Sequence, residues 1–230
     1  YYEAAGIDVE VIGGGPNAPV AEQQIAAGNT EVAFTSNIFR LFSAIGQGQD
    51  LVIIGAQFQE SPAGMISLAK HPVEKASDLE GARVLAGENS RPIIETTMKM
   101  LKVSDYEFVP SAGGVNPLIE GEGDALWGFE TSQPVTMEKQ FDLVRDKDYF
   151  FVSAADLGTP SYANIVIADR SYAESHRDAV VAFLKGTIRG WQKQLEEPQL
   201  GADLTVNQYG ASQGLDPAVV SREKDVMADK

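Results

Sequence analysis

Short apolar runs alternate along the chain with segments of helical periodicity. The apolar runs predict strands at residues 7–12, 31–34, 51–56, 65–68, 82–86, 107–109, 124–128, 141–144 and 164–168. Helical spacing predicts helices at residues 19–27, 38–45, 91–101, 114–120 and 133–139, and then a long helix with Val180, Val181, Leu184, Ile188, Trp191 and Leu195 facing the core. Strands that alternate with helices are typical of βα units on a mainly parallel sheet. The pattern therefore predicts an α/β fold.

The predicted elements form two series, separated by two segments that contain proline. Pro62 lies in residues 60–64, and Pro160 lies in residues 159–164. If the chain crosses between lobes at both segments, residues 1–60 and 165–230 form lobe 1 and residues 61–164 form lobe 2. We therefore expect two α/β lobes joined by a two-crossover hinge, with a cleft between them. Residues 1–6 have the pattern of a last helical turn, so we also expect chain upstream of residue 1.

Composition narrows the class of partner. The chain has 18 basic and 33 acidic residues, and its net charge of −15 repels phosphate backbones and anionic lipid head groups. We therefore expect no nucleic-acid partner, and we expect a monomer. The absence of cysteine excludes disulfides, thiolate nucleophiles and thiolate metal sites. The longest apolar runs are far shorter than the roughly 20 residues that a membrane helix needs.

Motifs for catalysis are weak in this sequence. The G-x-S-x-G pattern around Ser212 has no later histidine, which a hydrolase triad of that type would need. His71 and His176 lie in polar segments and are interpreted as solvated. No P-loop and no G-x-G-x-x-G occurs in the sequence. A pair of catalytic carboxylates stays open, because 33 acidic residues always allow pairs. We expect no enzyme, no metal site and no cofactor.

The loops after the predicted strands contain the candidate ligand-binding residues. Ligands of open α/β sheets bind beyond the carboxyl ends of the strands, where helix N-termini present unpaired N–H groups. The candidates are Gly15, Asn17, Ser36, Asn37, Phe58, Glu60, Glu88, Asn89, Ser90, Trp127, Gly128, Glu130, Thr131 and Tyr162, with Asn164 beside Tyr162 at the second crossover. Asn17, Ser36, Asn37 and Ser90 fit a second interpretation as helix N-caps. Trp127 fits a second interpretation as a core residue.

The chemistry of these loops favours one class of ligand. Aromatic rings and neutral hydrogen-bonding groups suit a flat, polar heterocycle that stacks on the rings and binds amides and a carboxylate. Arg91 is the only cation near these loops in the sequence, so a small anion is the less favoured ligand.

Several segments, in order, resemble the substrate-binding proteins of ABC importers in the NMT1/THI5-like family, whose members bind nitrate, sulfonates, taurine or thiamine-pyrimidine precursors. The segments are residues 2–9, 14–16, 58–68, 76–81 and 124–128. The resemblance implies a type II periplasmic-binding-protein fold and a membrane ABC permease as partner. It also implies a periplasmic or other extracytoplasmic location, reached through a signal peptide in the precursor. An upstream strand and helix would carry part of the ligand site.

Residues 129–135 resemble the segment that pyrimidine- and flavin-binding members use near the ligand. We therefore expect a solute-binding protein that closes about its hinge on a thiamine-precursor pyrimidine or a riboflavin-like heterocycle. A small anion such as a sulfonate, taurine or nitrate is the first alternative. A pyrimidine-biosynthesis enzyme of the same fold is the second, although such enzymes depend on a cysteine-rich motif that this chain lacks. The effector domain of a regulator and the sensor module of a receptor stay open as further alternatives.

Overall fold

The structure is a computed structural model that describes residues 1–13, 19–112, 114–211 and 215–228. The strands are β1 (Val32–Thr35), β2 (Leu51–Phe58), β3 (Ala63–Leu68), β4 (Ala82–Ala86), β5 (Tyr106–Pro110), β6 (Ala125–Phe129), β7 (Tyr149–Ser153) and β8 (Ala163–Asp169). The helices are α1 (Ala21–Ala26), α2 (Ile38–Gly46), α3 (Arg91–Leu101), α4 (Asn116–Glu120), α5 (Gln133–Gln140), α6 (Arg170–Ser175), α7 (Arg177–Glu196), α8 (Pro198–Leu204) and α9 (Pro217–Ala228). Short 3₁₀ turns lie at Glu3–Ala5, Ala76–Leu79 and Glu88–Ser90, and a π-helical turn at Thr205–Tyr209.

The chain divides into two compact units. Unit 1 comprises Tyr1–Gln59 and Tyr162–Glu197, and unit 2 comprises Glu60–Ser161 and Pro198–Lys230. The last segment differs from the sequence-based division, which assigned it to the same lobe as the first 60 residues. It joins unit 2 because α9 packs on α5, where Arg222 Nε lies 3.7 Å from Glu138 Oε2.

Unit 1 is built on a three-stranded sheet (sheet 1) in the order β1-β8-β2. The central strand, β8, runs antiparallel to both neighbours, with Thr35 opposite Ile165 and Phe58 opposite Ala163. The prediction of a mainly parallel sheet is therefore wrong for this unit. The chain re-enters unit 1 beside the end of β2, so β8 runs back along β2 as the second strand of a hairpin would.

Helices cover both faces of sheet 1. On one face, a buried cluster joins the sheet to α1 and α2; its members are Ile25, Leu41, Ala44, Leu51, Ile165 and Ile167. On the other face, the ring of Phe183 in α7 lies 5.4 Å from Tyr2 in a stacked arrangement and 6.4 Å from Phe34.

Fewer apolar residues of the helix α7 are buried than its sequence predicts. Val180 is buried, and Gly186 has no room for a β-carbon. Val181, Ile188 and Leu195 are exposed. These three residues are seven apart, so they lie on one side of the helix. The prediction that they face the core is therefore wrong.

Unit 2 is built on a five-stranded sheet (sheet 2) in the order β5-β4-β6-β3-β7. β4 pairs in parallel with β5 and β6, whereas β3 pairs antiparallel with β6 and β7. Alternate side chains enter two cores. One core joins Met65, Val84 and Trp127 to Ile94 and Met98 of α3, and the other joins Ile66, Leu85 and Leu126 to Leu118 of α4 and Met137 of α5.

Two predicted strands are wrong, and one strand was missed. Residues 7–12 pair with no strand in the described chain, and Val11 and Ile12 are 78% and 55% exposed. A strand without a neighbouring strand leaves its N–H and C=O groups unpaired, so alternation of apolar and polar residues is not sufficient to form a strand. Residues 141–144 form a loop after α5. β7 follows that loop and pairs with β3, with Tyr149 fully buried.

Gly64 in β3 is a packing constraint in sheet 2. A β-carbon at this position would collide with the backbone carbonyl of Val152 and the ring of Phe151. We therefore expect Gly64→Ala to lower the free energy of unfolding, measured in urea, by about 1–3 kcal/mol. Gly55→Ala in β2 is the matched control, because its β-carbon would lie 3.7 Å from its nearest neighbours. Equal losses in the two variants would contradict this account.

Candidate ligand-binding site

Three polar side chains cross one end of sheet 1. β1 and β2 point the same way, so their carboxyl ends and the start of β8 meet there. Ser36 Oγ donates a hydrogen bond of 2.8 Å to Asn164 Oδ1. Asn164 Nδ2 donates a hydrogen bond of 3.2 Å to Gln57 Oε1. We call Ser36, Asn164 and Gln57 the polar strip. It presents amide and hydroxyl groups that carry no net charge.

The backbone of Asn164 explains why asparagine stands at the centre of the strip. Its φ is +47°, in the left-handed region that asparagine tolerates better than most residues. This conformation occurs in the second residue of β8, next to Tyr162 and Ala163. Asparagine therefore meets the backbone requirement and also supplies both a donor and an acceptor to the strip.

Two aromatic residues lie next to the polar strip. Phe58 ends β2 and is half-buried opposite Ala163. Tyr162, one residue before β8, is 52% exposed. Their rings are carried by the same strand ends as Gln57 and Asn164, so the predicted residues of unit 1 come from one end of its sheet.

A ring of polar contacts, which we call the polar ring, joins Glu22, Thr35, Asn37 and Arg40 on either side of Ser36 in the sequence. Thr35 Oγ1 donates a hydrogen bond of 2.7 Å to Glu22 Oε1, and the Asn37 N–H donates to Thr35 Oγ1 at 3.4 Å. Asn37 Oδ1 accepts from the Arg40 N–H at 3.0 Å and so caps α2. Arg40 Nε lies 3.3 Å from Glu22 Oε2. Asn37 therefore acts as an N-cap, the second of its two sequence interpretations.

In unit 2, the loops after β4 and β6 lie at the same edge of sheet 2, because these strands are parallel neighbours. After β4, Arg91 donates to both carboxylate oxygens of Glu88, at 2.6 and 3.0 Å. The hydrogen bond from Arg91 lowers the pKa of Glu88. The Arg91 guanidinium also lies 3.9 Å from the centre of the Phe108 ring. Asn89 is exposed and Ser90 half-buried, and the Ser90 side chain does not cap α3.

The loop after β6 is held by Gln133 and Arg145. The Phe129 N–H donates to Gln133 Oε1 at 2.8 Å, and a β-carbon on Gly128 would approach that same oxygen to 3.0 Å. Arg145 Nη1 donates to Glu130 Oε1 at 2.7 Å. A side chain at Gly128 would therefore displace Gln133, and Glu130 is an ion-pair partner. Thr131 lies between them and α5, and Phe129 is 39% exposed.

Trp127 is a core residue of unit 2. It is 8% exposed and packs in the buried cluster between sheet 2 and α3. This is the second of the two interpretations that its sequence position allowed. A ring so enclosed has little surface left for stacking on a ligand.

The structure divides the predicted residues between the two units. Unit 1 holds Ser36, Asn37, Phe58 and Tyr162, and unit 2 holds Glu60, Glu88, Asn89, Ser90, Trp127, Gly128, Glu130 and Thr131. Glu60 is exposed. Gly15, Asn17 and Ser212 lie outside the described residues. Sequence reasoning missed Gln57, because 107 residues separate it from Asn164, and Arg145, because 15 residues separate it from Glu130.

The described part of the chain shows neither a metal-binding cluster nor a membrane-spanning helix. No group of three or more Asp, Glu or His side chains there could hold a metal ion. Among the same residues, no helix combines the length and apolar character needed to cross a membrane.

Solved structures of low sequence identity share this architecture. The aliphatic sulphonate binding protein SsuA of Escherichia coli has a TM-score of 0.64 at 18% identity, covering 90% of this chain and 70% of its own. The alkanesulfonate-binding protein SsuA of Xanthomonas axonopodis pv. citri, bound to MOPS, has a TM-score of 0.58 at 17% identity, and the match covers 89% of this chain and 68% of that protein. A protein of Bordetella bronchiseptica RB50 has a TM-score of 0.65 at 20% identity, and the match covers 99% of this chain and 74% of that protein. The chain therefore has the α/β periplasmic-binding-protein fold, with two sheets.

A family model described as NMT1/THI5 like matches residues 1–200. The chain therefore belongs to the NMT1/THI5-like family, as its sequence segments predicted. No protein with a curated description has a significantly similar sequence.

The burial of Trp127 gives a direct test of its role. We expect Trp127→Ala to lower the free energy of unfolding by about 3–5 kcal/mol, because it leaves a cavity in the core of unit 2. Phe129→Ala is the matched control, since its ring stands two residues later in the same strand and is exposed; we expect a loss below about 1 kcal/mol. Urea unfolding measures both. If Trp127→Ala were as stable as the unmodified chain, Trp127 would not be a core residue and would again be a candidate for ligand contact.

Proposed function

We propose that this chain is the extracytoplasmic solute-binding protein of an ABC importer and that it binds a small organic anion of the sulfonate type. The polar strip is the observation that carries the proposal. Hydrogen bonds join Ser36, Asn164 and Gln57 across three strand ends. These side chains are partly or fully exposed, so they do not contribute to the core. Family membership and fold agree with a binding role.

The donors in both units favour an anionic group. The amide N–H groups of Gln57 and Asn164 suit the oxygens of a sulfonate, and hydrogen bonds to a charged acceptor are the stronger ones. In unit 2, Arg91 and Arg145 stand at the loops after β4 and β6. Two of the similar structures are named as sulfonate-binding proteins, and one of them holds MOPS.

The proposed mechanism is hinge closure. The chain passes between the units at residues 59–60, 161–162 and 197–198. Next to the first two of these crossings, the Ser61 N–H donates to the Ser161 carbonyl at 2.8 Å. A ligand that contacts both units in the closed state alone shifts the population towards that state. In this proposal, the closed state is what a membrane permease recognises, and the ligand is released unchanged.

A heterocycle such as a thiamine-precursor pyrimidine or riboflavin is the second candidate ligand. The exposed rings of Phe129 and Tyr162 favour it, because such rings stack on flat ligands. The uncharged polar strip can bind the edge of a heterocycle as well. Trp127, one of the predicted ligand-binding residues, is buried in the core of unit 2 and does not support it.

A ligand panel separates these candidates. We expect ethanesulfonate, taurine or MOPS to raise the melting temperature, with a stabilisation of about 2.7 kcal/mol when the free ligand is 100 times its Kd. The panel includes nitrate, a thiamine-precursor pyrimidine and riboflavin. Mass spectrometry of the recovered ligand tests whether it is unchanged. Stabilisation by the heterocycles alone would replace the anion proposal, and a chemically altered ligand would indicate an enzyme.

Asn164→Asp distinguishes an anion from a neutral ligand. The two side chains have the same shape and both tolerate the left-handed backbone, but aspartate places a negative charge in the polar strip. We expect ethanesulfonate to bind more than tenfold more weakly in calorimetry, because like charges a few ångströms apart repel strongly.

Asn29→Asp is the matched control for that variant. It adds the same charge to unit 1, at an exposed turn before β1 and so at the opposite end of that strand. We expect it to bind ethanesulfonate as the unmodified chain does. Equal affinities of Asn164→Asp and Asn29→Asp would show that the strip does not contact the anion.

A further inference from the structure

The polar ring in unit 1 has a direction that follows from its donors and acceptors. Thr35 has one hydroxyl proton, and it donates that proton to Glu22 Oε1 at 2.7 Å. Its oxygen is then left as the acceptor for the Asn37 N–H at 3.4 Å. Glu22 thus determines which way the Thr35 hydroxyl points, and Thr35 in turn holds the backbone of Asn37.

The burial of the ring makes this direction costly to change. Glu22 and Thr35 are each 2% exposed, and Asn37 is 6% exposed. A buried carboxylate is stable when hydrogen-bonded and paired with a cation, and Arg40 Nε lies 3.3 Å from Glu22 Oε2. Neither Arg40 Nε nor Glu22 Oε2 has a hydrogen bond within the described chain, so these two atoms form an ion pair whose N–H does not point at the oxygen. Among the described residues, the hydrogen bond from the Thr35 hydroxyl is therefore the one that orients the carboxylate.

Ser36 is the exposed residue between two residues that the ring holds. Its neighbours Thr35 and Asn37 are buried and bonded to each other through Thr35 Oγ1. The Ser36 side chain faces outward and donates to Asn164 Oδ1 at 2.8 Å. The position of the Ser36 hydroxyl therefore depends on contacts that Ser36 itself does not make.

We infer that Thr35 and Glu22 are positioning residues, which hold Ser36 and the start of α2 in the geometry that binds the ligand's anionic group. This inference rests on the proposed function and names residues that would not touch the ligand. The ring holds one carboxylate and one guanidinium, so it adds no net charge beneath the polar strip. A buried acid at this place is thereby compatible with an anionic ligand.

A double-mutant cycle between Thr35 and Ser36 tests the inference. Thr35→Val keeps the shape of the side chain and removes the hydroxyl. We expect it to weaken ethanesulfonate binding roughly fivefold to tenfold, and to have less than a twofold effect when Ser36→Ala is already present. Thr35→Ser restores the hydroxyl, and we expect it to restore affinity. Calorimetry well below the melting temperature measures each Kd.

Thr30→Val is the matched control. Thr30 precedes the same strand and donates to the Val32 carbonyl at 2.9 Å, away from the polar ring. A purely structural role for Thr35 would lower the melting temperature and leave the Kd of ethanesulfonate unchanged, which would overturn the inference. The same weakening with and without Ser36→Ala would also overturn it.

Amide hydrogen exchange in the ligand-free protein separates this inference from the proposed function. We expect faster exchange at the Asn37 and Arg40 amides in Thr35→Val, and normal exchange in Thr35→Ser. If the unmodified chain binds none of ethanesulfonate, taurine and MOPS, the proposed function fails, and the exchange data then decide whether Thr35 holds this turn. Unchanged exchange in Thr35→Val would overturn the positioning role in either case.

Discussion

Backbone hydrogen bonds from β8 to both of its neighbours hold unit 1 together. β1 and β2 have no bonds to each other, so the sheet exists because β8 lies between them. Ile165 and Ile167 of the same strand are almost completely buried and join the sheet to α1 and α2. Asn164, at the start of β8, then falls between Ser36 and Gln57. One strand thus provides the ladder, the core and the centre of the polar strip.

An acidic surface is compatible with the anionic ligand of the proposed function because the arginines near the strand ends are paired within each unit. Arg91 is paired with Glu88, Arg145 with Glu130, and Arg40 with Glu22. Pairs of this kind cancel much of the charge at short range, while the overall charge of −15 is screened by salt over about 8–10 Å. Binding in the proposed site would therefore depend on amide and hydroxyl donors more than on a positive potential.

The sequence predicted the local elements better than their pairing. Residues 82–86 and 91–101 were predicted with the bounds of β4 and α3, because apolar runs and helical spacing are local signals. Residues 7–12 have the alternation of a strand but pair with no strand in the described part of the chain. The antiparallel course of β8 depends on where the chain re-enters unit 1, and no local pattern contains that information.

Side-chain roles at the strand ends followed the same rule. The sequence placed Ser36, Glu88 and Glu130 just after strands, as the structure does, because that position depends only on order along the chain. It did not distinguish a buried ring from an exposed one, so the choice for Trp127 came from its packing against α3. Gln57 and Arg145 were missed because their partners, Asn164 and Glu130, come from other segments.

The order of the strands also has a consequence for synthesis. All strands of sheet 2 lie between residues 63 and 153, whereas sheet 1 cannot form until β8, residues 163–169, has been synthesised. On a ribosome, the inserted sheet therefore emerges whole while β1 and β2 still lack the strand that joins them. The pairs that close sheet 1 connect residues more than a hundred positions apart, which makes them slow to form. The nascent protein completes last the sheet whose first strands it made earliest.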